Sequence, residues 1–100
     1  QASPDAWALI GKTIAKHDPY CRGIVLLGLE APETELAEAF RAAAGQACVK
    51  GFAVGRSIFN DAARQWLTGK ITDKTATEDM ANRFASLAAL WQKARAQRAA

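Results

Sequence analysis

The segment with the most chemical content is Lys50-Gly51-Phe52-Ala53-Val54-Gly55-Arg56-Ser57-Ile58-Phe59. An apolar, strand-like stretch runs into Gly55, where a glycine lets backbone approach a ligand with no Cβ in the way. A helical turn opening at the next residues would present the amides of Arg56 and Ser57, and such N–H groups hold phosphate. Arg56 adds a guanidinium that can make paired hydrogen bonds to phosphate oxygens. Pattern alone supports a second reading equally, in which Gly55 turns the chain and Arg56 pairs with a surface carboxylate. Upstream, Gly28-Leu29-Glu30-Ala31-Pro32 closes another apolar run. If the two runs are adjacent parallel strands, their carboxyl ends lie side by side and both glycine loops can share one anion. Glu30 then either contacts a substrate hydroxyl or stands as an exposed loop carboxylate near a helix start.

Other reactive side chains fit ordinary structural roles better. Lys50 is a candidate Schiff-base nucleophile by residue type, but it lies near the start of its strand, opposite the ligand rim. His17 stands at a helix end beside Asp18-Pro19, where capping or exposure explains it. Glu33, Glu35 and Glu38 read as a solvated helix face, the front ones favoured by the helix dipole. Trp7, Trp66 and Trp91 fall on apolar helical faces. Cys21 and Cys48 read as small buried hydrophobes of a reduced, cytosolic protein. With one His and two separated Cys, no zinc constellation is available, and no cofactor motif or Ser-His-Asp arrangement is present. The residues therefore offer a candidate phosphate cradle and no catalytic group.

The elements that must position this cradle follow from switches in hydrophobic period. Ser3 precedes Pro4 and Asp5 as an N-cap, and Trp7, Ile10 and Ile14 recur at helical spacing until Pro19 forbids continuation. Gly23 to Gly28 is a short continuous apolar run, the mark of a strand covered on both faces as in parallel sheets. Glu33 to Ala44 reads as a helix with Leu36, Phe40 and Ala43 inward. Val49 to Val54 reads as a second buried strand, followed by a helix near 57–68 carrying Ile58, Phe59, Ala63, Trp66 and Leu67. Thr72 or Asp73 caps a final helix whose inward stripe is Met80, Phe84, Leu87, Leu90 and Trp91. Strands alternating with helices through short loops predict parallel pairing and right-handed crossovers.

Composition bounds the reading. One hundred residues, half of them apolar and 23% charged, describe globular material of one domain or part of one. No apolar run nears the roughly 18 residues that a membrane span requires, and no signal-peptide pattern opens the chain. The net charge of +3 comes largely from Lys93, Arg95 and Arg98. These read as a solvated, dipole-complementing helix end rather than a nucleic-acid surface. Two parallel strands buried on both faces leave apolar open edges. A Rossmann-like sheet or a (β/α)8 barrel would supply the missing strands. The cadence of short strands and long helices favours an α/β fold, the C-terminal part of a (β/α)8 barrel, βαβα with flanking helices. The chain beginning at Gln1 then reads as a fragment, whose strands need the remainder of the barrel or self-association.

The segment from Gly51 to Phe59, with Leu27-Gly28-Leu29-Glu30-Ala31-Pro32 upstream and Ala62-Ala63-Arg64-Gln65-Trp66-Leu67 downstream, resembles a known domain. It is the aldolase-like domain at the C-terminus of bacterial myo-inositol catabolism proteins, fused behind a 5-dehydro-2-deoxygluconokinase. The helix from Met80 to Trp91 matches as well, so the resemblance covers nearly all of the chain. That domain is similar to class I aldolases of tagatose bisphosphate type, which are (β/α)8 barrels. The resemblance implies that 23–29 and 49–54 are the seventh and eighth strands of such a barrel. It implies that a phosphorylated keto sugar acid is held by the backbone of Gly28 and Leu29 and by Gly55, Arg56 and Ser57. One departure is present, since relatives carry a Ser-Ala-Gly-type turn where this chain has Leu27-Gly28-Leu29, which weakens the first of those contacts. The Schiff-base lysine of the class falls before Gln1, so this polypeptide alone supplies no catalytic residue. The implied parent reaction is cleavage of 5-dehydro-2-deoxyphosphogluconate to dihydroxyacetone phosphate and malonate semialdehyde. The alternative is a non-catalytic sugar-phosphate-binding barrel that supports or regulates the fused kinase.

Overall fold

The computed structural model describes residues 3–28 and 31–99. Within them the elements run α1 (Pro4–His17), β1 (Ile24–Leu27), α2 (Glu33–Ala43), β2 (Val49–Ala53), α3 (Arg56–Leu67) and α4 (Asp73–Ala99). The first helix starts where sequence chemistry places it. Ser3 is extended and its hydroxyl accepts from the Ala6 amide at 3.2 Å, with Pro4 next in line, satisfying one orphan donor of the first turn. The fourth begins the same way, with the Thr75 amide donating to Thr72 Oγ1 at 3.2 Å. Thr72 rather than Asp73 is therefore its cap.

The two strands pair in parallel, Ile24 against Val49 and then Val25 to Leu27 against Gly51 to Ala53, with a register shift after Ile24. Lys50 is the extra residue of that bulge. Gly23 accommodates it, since its φ is +145° and a Cβ there would sit 2.4 Å from Lys50 Cγ. Pleating then sends Leu26 and Phe52 to one face and Val25, Leu27 and Ala53 to the other.

Among the described residues the first of those faces carries the buried core. Leu26 and Val49 are buried there with Leu36, Phe40, Ala43 and Ala44 of α2 and its end, and with Leu87 and Ala94 of α4. Phe40 is fully buried and ties three elements together, its ring 5.0 Å from Phe52 and 5.5 Å, edge-on, from Trp91. Offset and edge-to-face rings each add about 0.5–1.5 kcal/mol beyond the area they bury. On the opposite face Val25 is 48% and Leu27 63% exposed.

The expectation of a C-terminal (β/α)8-barrel segment is thereby overturned. The chain is mostly helical, four helices around a single two-stranded parallel sheet among the described residues. The physical reason lies in what the helices pack against. α4 lies along both α2 and α3, so much of the burial is helix on helix rather than helix on sheet. The radius of gyration is 16.0 Å, against about 13 Å for a compact unit of this length. The 27-residue α4 accounts for the elongation, being about 40 Å long at 1.5 Å per residue. Several apolar residues expected inward are consequently exposed, among them Ile10, Phe59, Trp66, Leu67 and Phe84. Among the described residues no helix is long and apolar enough to cross a membrane.

In the basic tail Lys93 is exposed as expected, whereas Arg95 differs. Arg95 is half-buried, and its Nη1 donates to the Val49 carbonyl at 2.6 Å and to those of Ala44 and Gln46 at 3.4 Å. Its guanidinium lies 5.4 Å from the Trp91 ring centre. It fastens the turn between α2 and β2 to α4 instead of facing water.

Candidate functional site

The parallel register brings the carboxyl ends of β1 and β2 together, and the Gly28 amide donates to the Ala53 carbonyl at 3.1 Å. From this rim the chain leaves β2 through Val54 and Gly55 into α3. Gly55 is the N-cap of that helix and offers no side-chain hydrogen bond to its first turn. Its carbonyl accepts from the amides of Ile58 and Phe59 at 2.8 and 3.1 Å. Arg56 and Ser57 therefore occupy the first two positions of α3, with the positive end of the helix dipole beneath them.

A cavity of about 320 Å³ opens beside this turn. Its wall takes Arg56, Ser57, Asn60 and Asp61 from α3, Ala31 to Glu33 from the start of α2, and Arg83 and Leu87 from α4. Ser57 stitches two of these walls together, its Oγ donating to the Ala31 carbonyl at 3.0 Å. Ser86 stitches another pair, its Oγ donating to Glu33 Oε1 at 3.1 Å. Arg83 spans two helices. Its Nε donates to Asp79 Oδ2 at 2.9 Å, and its Nη2 lies 3.4 Å from Asp61 Oδ2. Asp61 is shared, since its other oxygen is 3.5 Å from Arg64 Nη1. The cavity thus presents two guanidiniums, two carboxylates, a carboxamide and the opening turn of a helix.

The sequence-derived candidates divide clearly. Arg56 and Ser57 line the cavity, and Gly55 immediately precedes them. Gly28 stands on the same rim, where it also meets a packing requirement. A Cβ there would meet Val54 Cγ1 at 2.4 Å and Leu36 Cδ2 at 3.7 Å, so the missing side chain makes room for Val54. Leu29 and Glu30 lie outside the described residues. Lys50 is at the amino end of β2, away from the cavity, and among the described residues no lysine lines it. His17 ends α1, exposed.

Sequence reasoning missed Arg83, Asn60, Asp61 and Glu33. One signal was present for Arg83. It falls within the stripe of Met80, Leu87 and Leu90, and a charge inside an apolar stripe needs a partner or a cavity. Cys21 and Cys48 are both free and half-buried. Among the described residues no group of three His, Cys, Asp or Glu is placed to hold a metal ion.

Residues 1–95 match the model of a family described as an uncharacterized protein conserved in bacteria, DUF2090. The chain belongs to this family. The match takes in both strands, α3 and nearly all of α4, so the cavity is built entirely from family residues. No curated protein and no solved structure matches the chain.

Proposed function

We propose that this member of the family binds a small phosphorylated compound in the cavity at the carboxyl ends of β1 and β2. The ligand class is a phosphorylated keto sugar acid, with its phosphate on the first turn of α3. The observation that carries this reading is the convergence of Arg56 and Ser57, at the opening of α3, with Arg83 of α4 on one cavity. Backbone amides at a helix start and guanidiniums are the groups that recognise phosphate. The resemblance of the sequence to the aldolase-like domain of myo-inositol catabolism proteins supports the same chemistry. On that ground the parent activity is aldol cleavage of 5-dehydro-2-deoxyphosphogluconate in the cytoplasm, with this chain supplying the phosphate end of the site.

A second reading is favoured by one observation. Among the described residues no lysine lines the cavity, and Lys50 is at the other end of its strand, so these residues bring no Schiff-base nucleophile to the ligand. A binding domain that supports or regulates a fused carbohydrate kinase needs only the recognition groups.

Isothermal titration of inorganic phosphate and of a sugar phosphate into the full-length protein, with and without Arg56→Ala, tests the shared part of both readings. Loss of one charge-assisted contact is worth about 1.5–3 kcal/mol, so affinity should fall about 10- to 150-fold. Unchanged affinity in the variant refutes the phosphate site. Aldol cleavage by the wild-type parent, trapped by borohydride on a lysine elsewhere in the protein, separates enzyme from regulator.

A further inference from the structure

We infer that Arg83 is a ligand-binding residue of this cavity and that Asp61 occupies it in the empty state. An anion then binds by taking over the edge of Arg83 that Asp61 holds. This inference rests on the phosphate reading above.

The two carboxylates on Arg83 hold it in different ways. Asp79 sits four residues earlier on the same helix and accepts from Nε at 2.9 Å, a short contact between neighbours on one helical face. Asp61 reaches across from α3 and lies 3.4 Å from Nη2, longer than the roughly 2.7–2.9 Å of a good charge-assisted bond. Its second oxygen is divided off toward Arg64 at 3.5 Å. Asp61 is half-exposed, as its partner Arg83 is, with side-chain exposures of 50% and 41%. Water competes with an ion pair of that kind, and little stability is lost when it opens. Asp79 therefore orients the guanidinium while Asp61 is the exchangeable partner.

Charge in the cavity points the same way. Among the described residues lining the cavity, the guanidiniums of Arg56 and Arg83 stand with the carboxylates of Glu33 and Asp61. A phosphate monoester brings more charge than a carboxylate and three acceptor oxygens. A guanidinium carries five N–H donors, and Asp79 and Asp61 engage only two of its nitrogens. Phosphate on the α3 turn and on Arg83 together would bridge α3 and α4, replacing the bridge that Asp61 makes at rest.

The test is titration of inorganic phosphate at low ionic strength into the full chain and into Asp61→Asn, Arg83→Gln, Arg83→Lys and Arg56→Ala. Exchange predicts opposite signs at the two ends of one ion pair. D61N should tighten binding about 3- to 10-fold, and R83Q should weaken it about tenfold or more, with R83K intermediate. A merely structural ion pair predicts the same direction for D61N and R83Q, because each breaks it, and that result overturns the inference. Thermal melts of each variant identify any that fail to fold. D61N, altering a half-exposed side chain, keeps the test decisive if R83Q does not fold, because unchanged or weakened phosphate binding in D61N alone overturns the exchange. Weakened binding in R56A with unchanged affinity in R83Q and D61N overturns the role of Arg83 and leaves the phosphate site standing. Unchanged affinity in all variants, or no binding by wild type, overturns both.

Discussion

Replacing Arg95 by methionine keeps an unbranched apolar stem of similar reach against the core and removes the guanidinium. Three carbonyls then lose a donor, although that of Gln46 still accepts from the Val49 amide at 3.1 Å. The contact to Val49 at 2.6 Å is a charge-assisted bond to a fully buried residue and is worth about 1.5–3 kcal/mol. The contacts to Ala44 and Gln46, both 3.4 Å, lie beyond the usual range of about 2.7–3.2 Å and add little. The guanidinium over Trp91 at 5.4 Å contributes about 0.5–1 kcal/mol. The expected loss is therefore about 2–4 kcal/mol, set against a total stability of about 5–15 kcal/mol for a unit of this size. Urea unfolding followed by far-UV circular dichroism reads it as a fall in midpoint of about 1–2 M. Lysine at the same position keeps the charge without the planar fork and should restore less than half. Exchange of the Ile24 amide, which donates to the Cys48 carbonyl at 2.8 Å at the head of the sheet, should accelerate in parallel. A methionine variant within about 0.5 kcal/mol of wild type, the ordinary range for exposed substitutions, would refute the fastening role and return Arg95 to a solvated helix end.

The other predictions concern the sheet and its rim. Val25→Thr and Leu27→Lys should each cost under about 1 kcal/mol in the same unfolding assay, because both side chains stand on the open face. A loss above about 2 kcal/mol, or a change of oligomeric state by light scattering, would mean that this face is covered in solution. Gly28→Ala should cost about 1–3 kcal/mol through its clash with Val54. Val54→Ala should relieve part of that in a double-mutant cycle, and simple additivity would show that the close approach carries no strain.

The order of elements was legible because each changes hydrophobic period or carries a stop. Ser3-Pro4 opens α1, Pro19 lies just beyond its end, and Leu36, Phe40 and Ala43 mark the buried face of α2. Short connections likewise made the parallel pairing readable. What covers each element was not. The apolar run of β1 predicts cover on both faces, yet its sequence records only its own surface. Val25 and Leu27 would read identically beneath a second helical layer, and from that ambiguity the barrel expectation arose. At the site, Arg56 and Ser57 were readable because a strand, a glycine and a helix start are consecutive in the chain. Arg83 and Asp61 were not, because their meeting depends on how α4 crosses α3, twenty-two residues apart in sequence. The contacts of Arg95 are hidden for the same reason, since a helix position does not reveal which carbonyls lie opposite. Gly28 has a packing role that the sequence pattern does not show, since the Val54 side chain lies where a Cβ at Gly28 would stand.

α4 links these observations. It brings Arg83 to the cavity at the carboxyl ends of the strands, while Arg95, twelve residues later, reaches the amino end of β2 at Val49. That separation is about 18 Å along a helix, roughly the length of the short sheet, so one helix is pinned at both ends of it. Between the two arginines, Leu87, Trp91 and Ala94 pack on the core that Phe40 centres. The position of Arg83 relative to Arg56 is therefore set by the seating of α4 on α2 and not by any local turn. Loosening at Arg95 should then be felt at the cavity. Arg95→Met should weaken phosphate binding although Arg95 is not among the residues that line the site. Phosphate should in turn raise the midpoint of that variant, because a ligand that bridges α3 and α4 stabilises the folded form by mass action. A variant that lost stability and bound phosphate with wild-type affinity would show that the cavity is fixed by α3 and its neighbouring loop alone.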